Sequence, residues 1–131
     1  MSDDNVQIVR RLYEGVNAND LPRDLLTGDC ELKNATTAVT DATYVGYEGA
    51  LKWRRDMFDV VEDARFELDE VVATGPNHVV VANSFVGRGA SSGVPVDMRW
   101  TSVFWIQDGK IVRAAGFNTR REALEAVGED V

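Results

Sequence analysis

Asn34, Asn83 and Asn118, with Ser102 beside them in type, carry the chemistry that this sequence offers. Each falls on a strand-like stretch whose same-face neighbours are largely apolar. A buried amide needs hydrogen-bond partners or costs a few kcal/mol. Such groups bond backbone, water or one another, or they orient the carbonyl or hydroxyl of a ligand. Amides do not serve as proton-transfer bases near neutral pH. The set therefore favours binding and electrostatic help over acid–base catalysis.

Other reactive groups are sparse. His78 is the only histidine, which rules out a multi-histidine metal site and argues against a Ser-His-Asp triad. Beside Asn77 it reads as a solvated turn residue. Cys30 is the only cysteine; it faces inward on a short strand, reads as an inert thiol and can form no internal disulfide. Gly87, Gly89 and Gly93 resemble a nucleotide loop only superficially, because they connect two strands and no helix follows to hold a phosphate. Asp41 and Asp56 could reach a cavity mouth, and Arg54 and Arg55 beside Trp53 could greet an acidic ligand, but all four read first as surface charges.

The elements that must position these groups follow from two periods. Over residues 3–17, Val6, Val9, Tyr13 and Val16 recur at helical spacing with Leu12 beside them. Ser2 suits the cap of that helix, and Asp3 and Asp4 suit its dipole. Asn19-Asp20 predicts a second, short helix through Leu25 and Leu26, stopped by Gly28. Residues 30–34 alternate as a short strand, with Cys30, Leu32 and Asn34 on one face. Residues 35–43 are small and polar and suit a flap. Tyr44 to Gly49 turns into a third helix over about 48–62, with Ala50, Trp53, Met57 and Val60 on one stripe.

The second half reads almost entirely as strand. Residues 64–74 place Ala64, Phe66 and Leu68 inward, and a phase change near Glu70-Val71-Val72 suggests a bulge. Gly75-Pro76-Asn77 makes a turn. Strands follow over 78–88, 95–107 and 110–118, joined by a Gly/Ser-rich loop from Gly87 to Pro95 and a tight Asp108-Gly109 turn. Thr119 and Glu122 form a capping box for a last helix. Helices first and long antiparallel strands after is the pattern of an α+β domain.

Charges mark the outer face of each strand. On that basis Val81, Asn83 and Phe85 point inward, as do Val96, Met98, Trp100, Ser102, Phe104 and Ile106. Val112, Ala114, Gly116 and Asn118 complete the inner face. The expected pocket draws Leu12, Tyr13 and Val16 from the first helix, Leu32 and Asn34 from the first strand, and Trp53 and Met57 from the third helix. Asn83, Phe85, Met98, Trp100, Ser102, Gly116 and Asn118 supply the sheet side. A few polar groups in an apolar cavity is the usual composition of a small-molecule site. Gly116 removes a side chain from this face and opens space. The outer face holds Val80, Val86, Val103 and Trp105 among its charges, and a second copy of the chain is the simplest cover.

Composition bounds the alternatives. The 131 residues suit one domain with one core. With 44% hydrophobic and 27% charged residues the chain is ordinary for a soluble protein. A formal net charge of −8 argues against nucleic acid and against an anionic membrane surface. No apolar stretch suggests a signal peptide or a membrane span, so cytoplasm is the expected location. The sequon Asn34-Ala35-Thr36 then carries no meaning.

From Val6 to Gly128 the chain resembles SnoaL-like proteins of the nuclear-transport-factor-2-like superfamily. The matching pieces are residues 12–21 (Leu-Tyr-Glu-Gly-Val-Asn-Ala-Asn-Asp-Leu), 46–49 (Gly-Tyr-Glu-Gly), 104–112 (Phe-Trp-Ile-Gln-Asp-Gly-Lys-Ile-Val) and 121–128 (Arg-Glu-Ala-Leu-Glu-Ala-Val-Gly). The resemblance implies a cone-shaped α+β barrel of cystatin-like type, an antiparallel curved sheet closed by N-terminal helices, usually dimeric, with a pocket between sheet and helices. Members include polyketide cyclases, ketosteroid isomerases and limonene-epoxide hydrolases, so the fold does not decide the activity.

Carried over residue by residue, the family's catalytic groups are mostly replaced. The isomerase base position falls on Asn34, its tyrosine on Leu12 with Tyr13 next door, and its second acid near Thr101. The epoxide hydrolase asparagine matches Asn34, but Leu32 stands for its tyrosine. Asn83, Phe85 and Gly116 stand at the Arg, Asp and Asp positions of its Asp-Arg-Asp set. Ala115 and Gly116 stand where cyclases place an acid. The leading expectation is a homodimer, paired through the outer sheet face, whose cavity takes a small, mostly apolar molecule without cofactor or metal. An isomerase, cyclase or hydrolase using an acid such as Asp41 or Asp97 is the enzymatic alternative, and a filled dimerisation scaffold is the third.

Overall fold

Apolar side chains at helical spacing fold the N-terminal segment into a helix, and alternation extends the C-terminal half into strands. The computed structural model describes residues 2–34 and 43–128. In chain order these form α1 (Ser2–Ala18), a 3₁₀ turn (Arg23–Leu25), β1 (Leu26–Lys33), β2 (Thr43–Val45) and α2 (Gly46–Asp59). Then follow β3 (Val61–Gly75), β4 (His78–Gly89), β5 (Pro95–Gln107), β6 (Lys110–Phe117) and α3 (Arg120–Ala126). The expected flap, and Asp41 within it, lies outside the described residues apart from Thr43.

The described strands form one sheet in the order β2-β1-β6-β5-β4-β3. The fold is α+β, as expected, but the sheet is mixed instead of antiparallel. β1 runs parallel to β6, and every other pairing is antiparallel. Parallel neighbours require a long crossover, which everything between Lys33 and Lys110 supplies. The sheet also does not close into a barrel: β2 and β3 lie at its two ends.

Several local expectations are corrected. The second helix shrinks to one 3₁₀ turn after Pro22, because Leu26 is drawn into β1 opposite Ile111 and Gly28 continues that strand. α2 ends at Asp59, which leaves Val60 48% exposed instead of on the buried stripe. Gly87 to Gly89 stay in β4 and pair across to Pro95, so the loop is shorter than the glycines suggest. His78 opens β4, half-buried, paired with Gly75 and Trp105.

Bulges bend the sheet. The register of β3 against β4 shifts between Leu68 and Glu70 and again between Val71 and Ala73, around the phase change seen in the sequence. A further shift at Trp105–Ile106 is not visible in the sequence; it sets Ile106 opposite Ile111 and Trp105 opposite Arg113. Ile111 therefore enters the core in place of the expected Val112. Asp108 and Gly109 close the β5–β6 hairpin with φ of 52° and 77°, the primed turn that matches strand twist.

The helices α1 and α2 cover the inner face. Val9, Met57, Val79, Val81, Phe85 and Ile106 are among the residues they bury with it. Asn17 reaches from α1 to the β3 edge, where its amide donates to the Phe66 carbonyl at 2.8 Å and accepts from the Phe66 N–H at 2.7 Å. That pair satisfies backbone groups that an edge strand leaves open. The outer face has its own cover: α3, held by the expected Thr119–Glu122 capping box, packs on Val80 and Val103 through Ala123. Two of the four outward apolar residues are thus buried within one chain.

Gly46 starts α2 with φ of 74°, and a Cβ there would sit 2.8 Å from the Gly28 carbonyl oxygen. Gly46→Ala is expected to lower the unfolding free energy by about 2 kcal/mol, from left-handed backbone and contact together. Urea denaturation checks this, and an unchanged midpoint contradicts it.

Candidate functional site

α1 crosses the inner face of the sheet with Leu12, Tyr13 and Val16 turned toward it, because these positions share the buried side of the helix. α2 lies alongside and contributes Ala50 and Trp53. Between the helices and the sheet is a cavity of about 70 Å³. Leu32, Lys33 and Asn34 at the end of β1 form one flank. Phe66, Asn83, Trp100, Ser102 and Phe104 form the floor. Ala114, Ala115 and Gly116 on β6 are small, which leaves the volume open. Leu21 and Leu26 complete the wall.

The polar groups are few and strictly arranged. The Tyr13 hydroxyl donates to Oδ1 of Asn83 at 2.6 Å, and the Ser102 hydroxyl donates to the same oxygen at 2.7 Å. The Asn83 amide nitrogen is buried and has no partner among the described residues. The Trp53 indole N–H donates to Oδ1 of Asn34 at 2.8 Å. An indole only donates, so the amide oxygen must face it. The Asn34 nitrogen is likewise buried without a partner among the described residues.

The wall is close to neutral. Burial pushes the Tyr13 hydroxyl far above the ordinary tyrosine range; the nearby Asp69 charge adds to this and the Ser102 hydrogen bond opposes it. Tyr13 is therefore a neutral donor at physiological pH. Burial also raises the Cys30 thiol, partly offset by the Gly46 backbone, as suits an inert cysteine. Lys33, exposed on the outward phase of β1, is the one charged residue that borders the cavity among the described residues.

The candidate acids lie elsewhere. Asp97 is exposed and bonded to Arg99, which holds its carboxyl below the usual range. Asp56 accepts from Lys52 at 3.0 Å and Tyr44 at 2.8 Å, which lowers it too. Arg54 donates to the Val16 carbonyl and lies over the Phe58 ring. Among the described residues no group of three or more His, Cys, Asp or Glu is placed to hold a metal. Nor is any described helix long and apolar enough to cross a membrane.

Of the residues expected to line the pocket, Leu12, Tyr13, Val16, Leu32, Asn34, Trp53, Asn83, Trp100, Ser102 and Gly116 do meet around one cavity. Four do not. Phe85 is fully buried behind Phe66, whose ring lies 4.5 Å from it. Met57 packs in the core one turn beyond Trp53. Met98 pairs with Phe85 and so lies past the same screen. Asn118 is exposed, because β6 ends at Phe117 and the alternation ends with it. It lines an adjoining open groove with Asp69, Glu70 and Arg99, which shares Asn83 and Trp100 with the cavity.

Other wall residues escaped the pocket reading. Phe66, Phe104 and Ala114 already had the inward parity that signals them. Leu26 was hidden by its assignment to a helix. Lys33 and Ala115 lie on the outward parity; no sequence signal marks Lys33, and Ala115 is marked only by the resemblance, at the position where cyclases place an acid.

The SnoaL-like domain family matches residues 9–114. No curated protein matches the chain. Among solved structures, a Jannaschia protein described as a SnoaL-like polyketide cyclase shares 20% identity at a TM-score of 0.74, covering 99% of this chain and 95% of its own. A Burkholderia pseudomallei NTF2-like protein of unknown function shares 19% at 0.74, covering 95% and 98%. TerC, co-crystallised with polyporic acid, shares 16% at 0.73, covering 93% and 96%. At these identities the likeness concerns the fold.

The Tyr13 environment predicts an alkaline limit. Its hydroxyl titrates higher in the folded chain than the ordinary 10.0. Below pH 10 both states keep the proton and Tyr13 adds no pH dependence. Above it the unfolded state loses the proton first, so unfolding free energy falls by about 1.4 kcal/mol per pH unit from this group. Tyr13→Phe removes that component. Denaturation midpoints of both proteins from pH 8 to 11 check it, and parallel curves contradict it.

Proposed function

We propose that this chain, which belongs to the SnoaL-like domain family, holds a small, mostly apolar molecule in the cavity between its helices and its sheet. The carrying observation is the cavity itself: aromatic and aliphatic walls around a hollow of about 70 Å³, with polar groups confined to Asn34, Asn83, Tyr13, Ser102 and the flank at Lys33. Apolar walls with a few placed polar groups suit recognition of an organic molecule. A pure scaffold would fill this space with side chains, and the small residues of β6 leave it open.

An isomerase, cyclase or hydrolase reading needs an acid or base at the wall. Among the described residues no carboxylate lines the cavity, so binding is the better-supported activity. The co-crystallisation of TerC with polyporic acid adds a precedent for this fold meeting a small organic molecule. Pairing of two copies across the outer sheet face belongs to the same proposal. Because α3 already covers Val80 and Val103, the partner would seat on the half-buried Val86 and Trp105.

Tetralin, a compact bicyclic hydrocarbon larger than the hollow itself, is a direct probe because the pocket is partly open and its rim can take the remainder. Its binding is expected to change the fluorescence of Trp53 and Trp100, which face the cavity. Gly116→Leu is expected to keep the native circular dichroism and to weaken tetralin binding at least tenfold by filling the hollow. Wild-type protein that ignores tetralin, or a Gly116→Leu variant that binds it unchanged, overturns the reading.

A further inference from the structure

The cavity walls distinguish one half of each amide from the other. Oδ1 of Asn34 is taken by the Trp53 indole, and Oδ1 of Asn83 is taken twice, by Tyr13 and Ser102. Both amide nitrogens are buried and lack partners among the described residues. Both residues also line the cavity. A buried donor left unmet costs more than a typical hydrogen bond contributes, so such groups call for an acceptor.

We propose that Asn34 and Asn83 are the specificity residues of the cavity, and that its occupant presents acceptor oxygens, as in a ketone, ester or quinone, to their amide N–H groups. This rests on the reading of the cavity as a binding site. Lys33, exposed at the same flank as Asn34, is the one charged residue bordering the cavity among the described residues, and it is a cation. Every one of these groups donates, and none of the wall's described residues is an anion. An ammonium or amidinium group would find acceptors only in the lone pairs of the Tyr13 and Ser102 hydroxyls and would still leave both amide donors unmet, as would a hydrocarbon.

The polarity is set by the scaffold. At Asn34 the orientation follows from the chemistry of its neighbour, since a tryptophan N–H cannot accept. At Asn83 two hydroxyls converge on one oxygen, each spending its only proton there. The ligand-facing half of each amide is what the scaffold bonds leave over.

The test compares 1-tetralone with tetralin, which differ by one carbonyl oxygen on nearly the same skeleton. In the wild type, bound tetralone should show a carbonyl stretch below its value in cyclohexane. In Asn34→Leu the tetralone-to-tetralin affinity ratio should fall about fivefold, the weight of one net hydrogen bond, while tetralin still binds. The stretch should move back toward the cyclohexane value. Asn83→Leu should lower the ratio similarly. If that variant fails to fold once Tyr13 and Ser102 lose their acceptor, Asn34→Leu and the wild-type stretch decide. Tetralin and tetralone both binding, with unchanged ratios and a cyclohexane-like stretch, overturns the donor assignment and leaves the cavity as a binding site. Failure of both probes to bind the wild type overturns the binding reading and the assignment with it.

Discussion

One amide oxygen ties the molecule together. Oδ1 of Asn83, buried on β4, receives the hydroxyls of Tyr13 from α1 and Ser102 from β5. A hydrogen bond of this kind contributes about 1 kcal/mol net, but removing one partner strands the others in a low-dielectric interior and costs more. The knot fixes how far α1 stands from the sheet. Asn17 fixes the same helix to the edge strand four residues later, by a two-bond contact with the Phe66 backbone. With both ties in place, α1 cannot settle onto the small residues of β6, and the hollow persists.

Phe66 is the second constraint. Its ring is in contact with those of Tyr13, Trp53, Phe58, Phe85 and Trp100. Tilted and edge-to-face pairs like these add modestly to the area they bury. Their more important effect is geometric. Phe66 divides the interior into a solid part, with Phe85 and Met57, and an open part bounded by Trp53, Trp100 and Tyr13. The register shifts of β3 flank this residue, one between Glu62 and Arg65 and two from Leu68 onward. Bending the sheet there brings both ends of the inner face around the same volume.

Much of this was legible in the sequence because alternation along a strand is a steric rule. It put Asn34, Asn83, Trp100, Ser102 and Gly116 on the inner face before any coordinates, and they share one cavity. It failed where the rule stops applying. At Val112 a bulge reverses the phase, so Ile111 enters the core instead. At Asn118 the strand has ended. Phe85 and Met98 obey the parity, yet parity cannot say that another ring stands between them and the hollow. The parallel β1–β6 pairing joins distant parts of the chain, and the 26–28 segment took its conformation from that pairing against its local helix signals. The acids drawn on for the enzymatic alternative divide similarly: Asp97 pairs with Arg99 on the outward phase, and Asp41 lies outside the described residues.

A fold shared across many activities leaves chemistry to the wall residues. Here the wall residues are in turn governed by their neighbours. An isolated asparagine offers a donor and an acceptor and discriminates little. Once a tryptophan or a pair of hydroxyls claims the oxygen, only the N–H side remains, and a versatile group becomes a one-sided one. The net charge of −8 does not contradict this, since the acids sit outside the cavity wall among the described residues. Apart from Asp69, whose charge is felt at the Tyr13 hydroxyl, their field is screened by water at the surface, while the amide dipoles act at contact distance in a medium of low dielectric. The sign that an occupant meets inside is therefore set by Trp53, Tyr13 and Ser102, and the composition of the surface has little part in it.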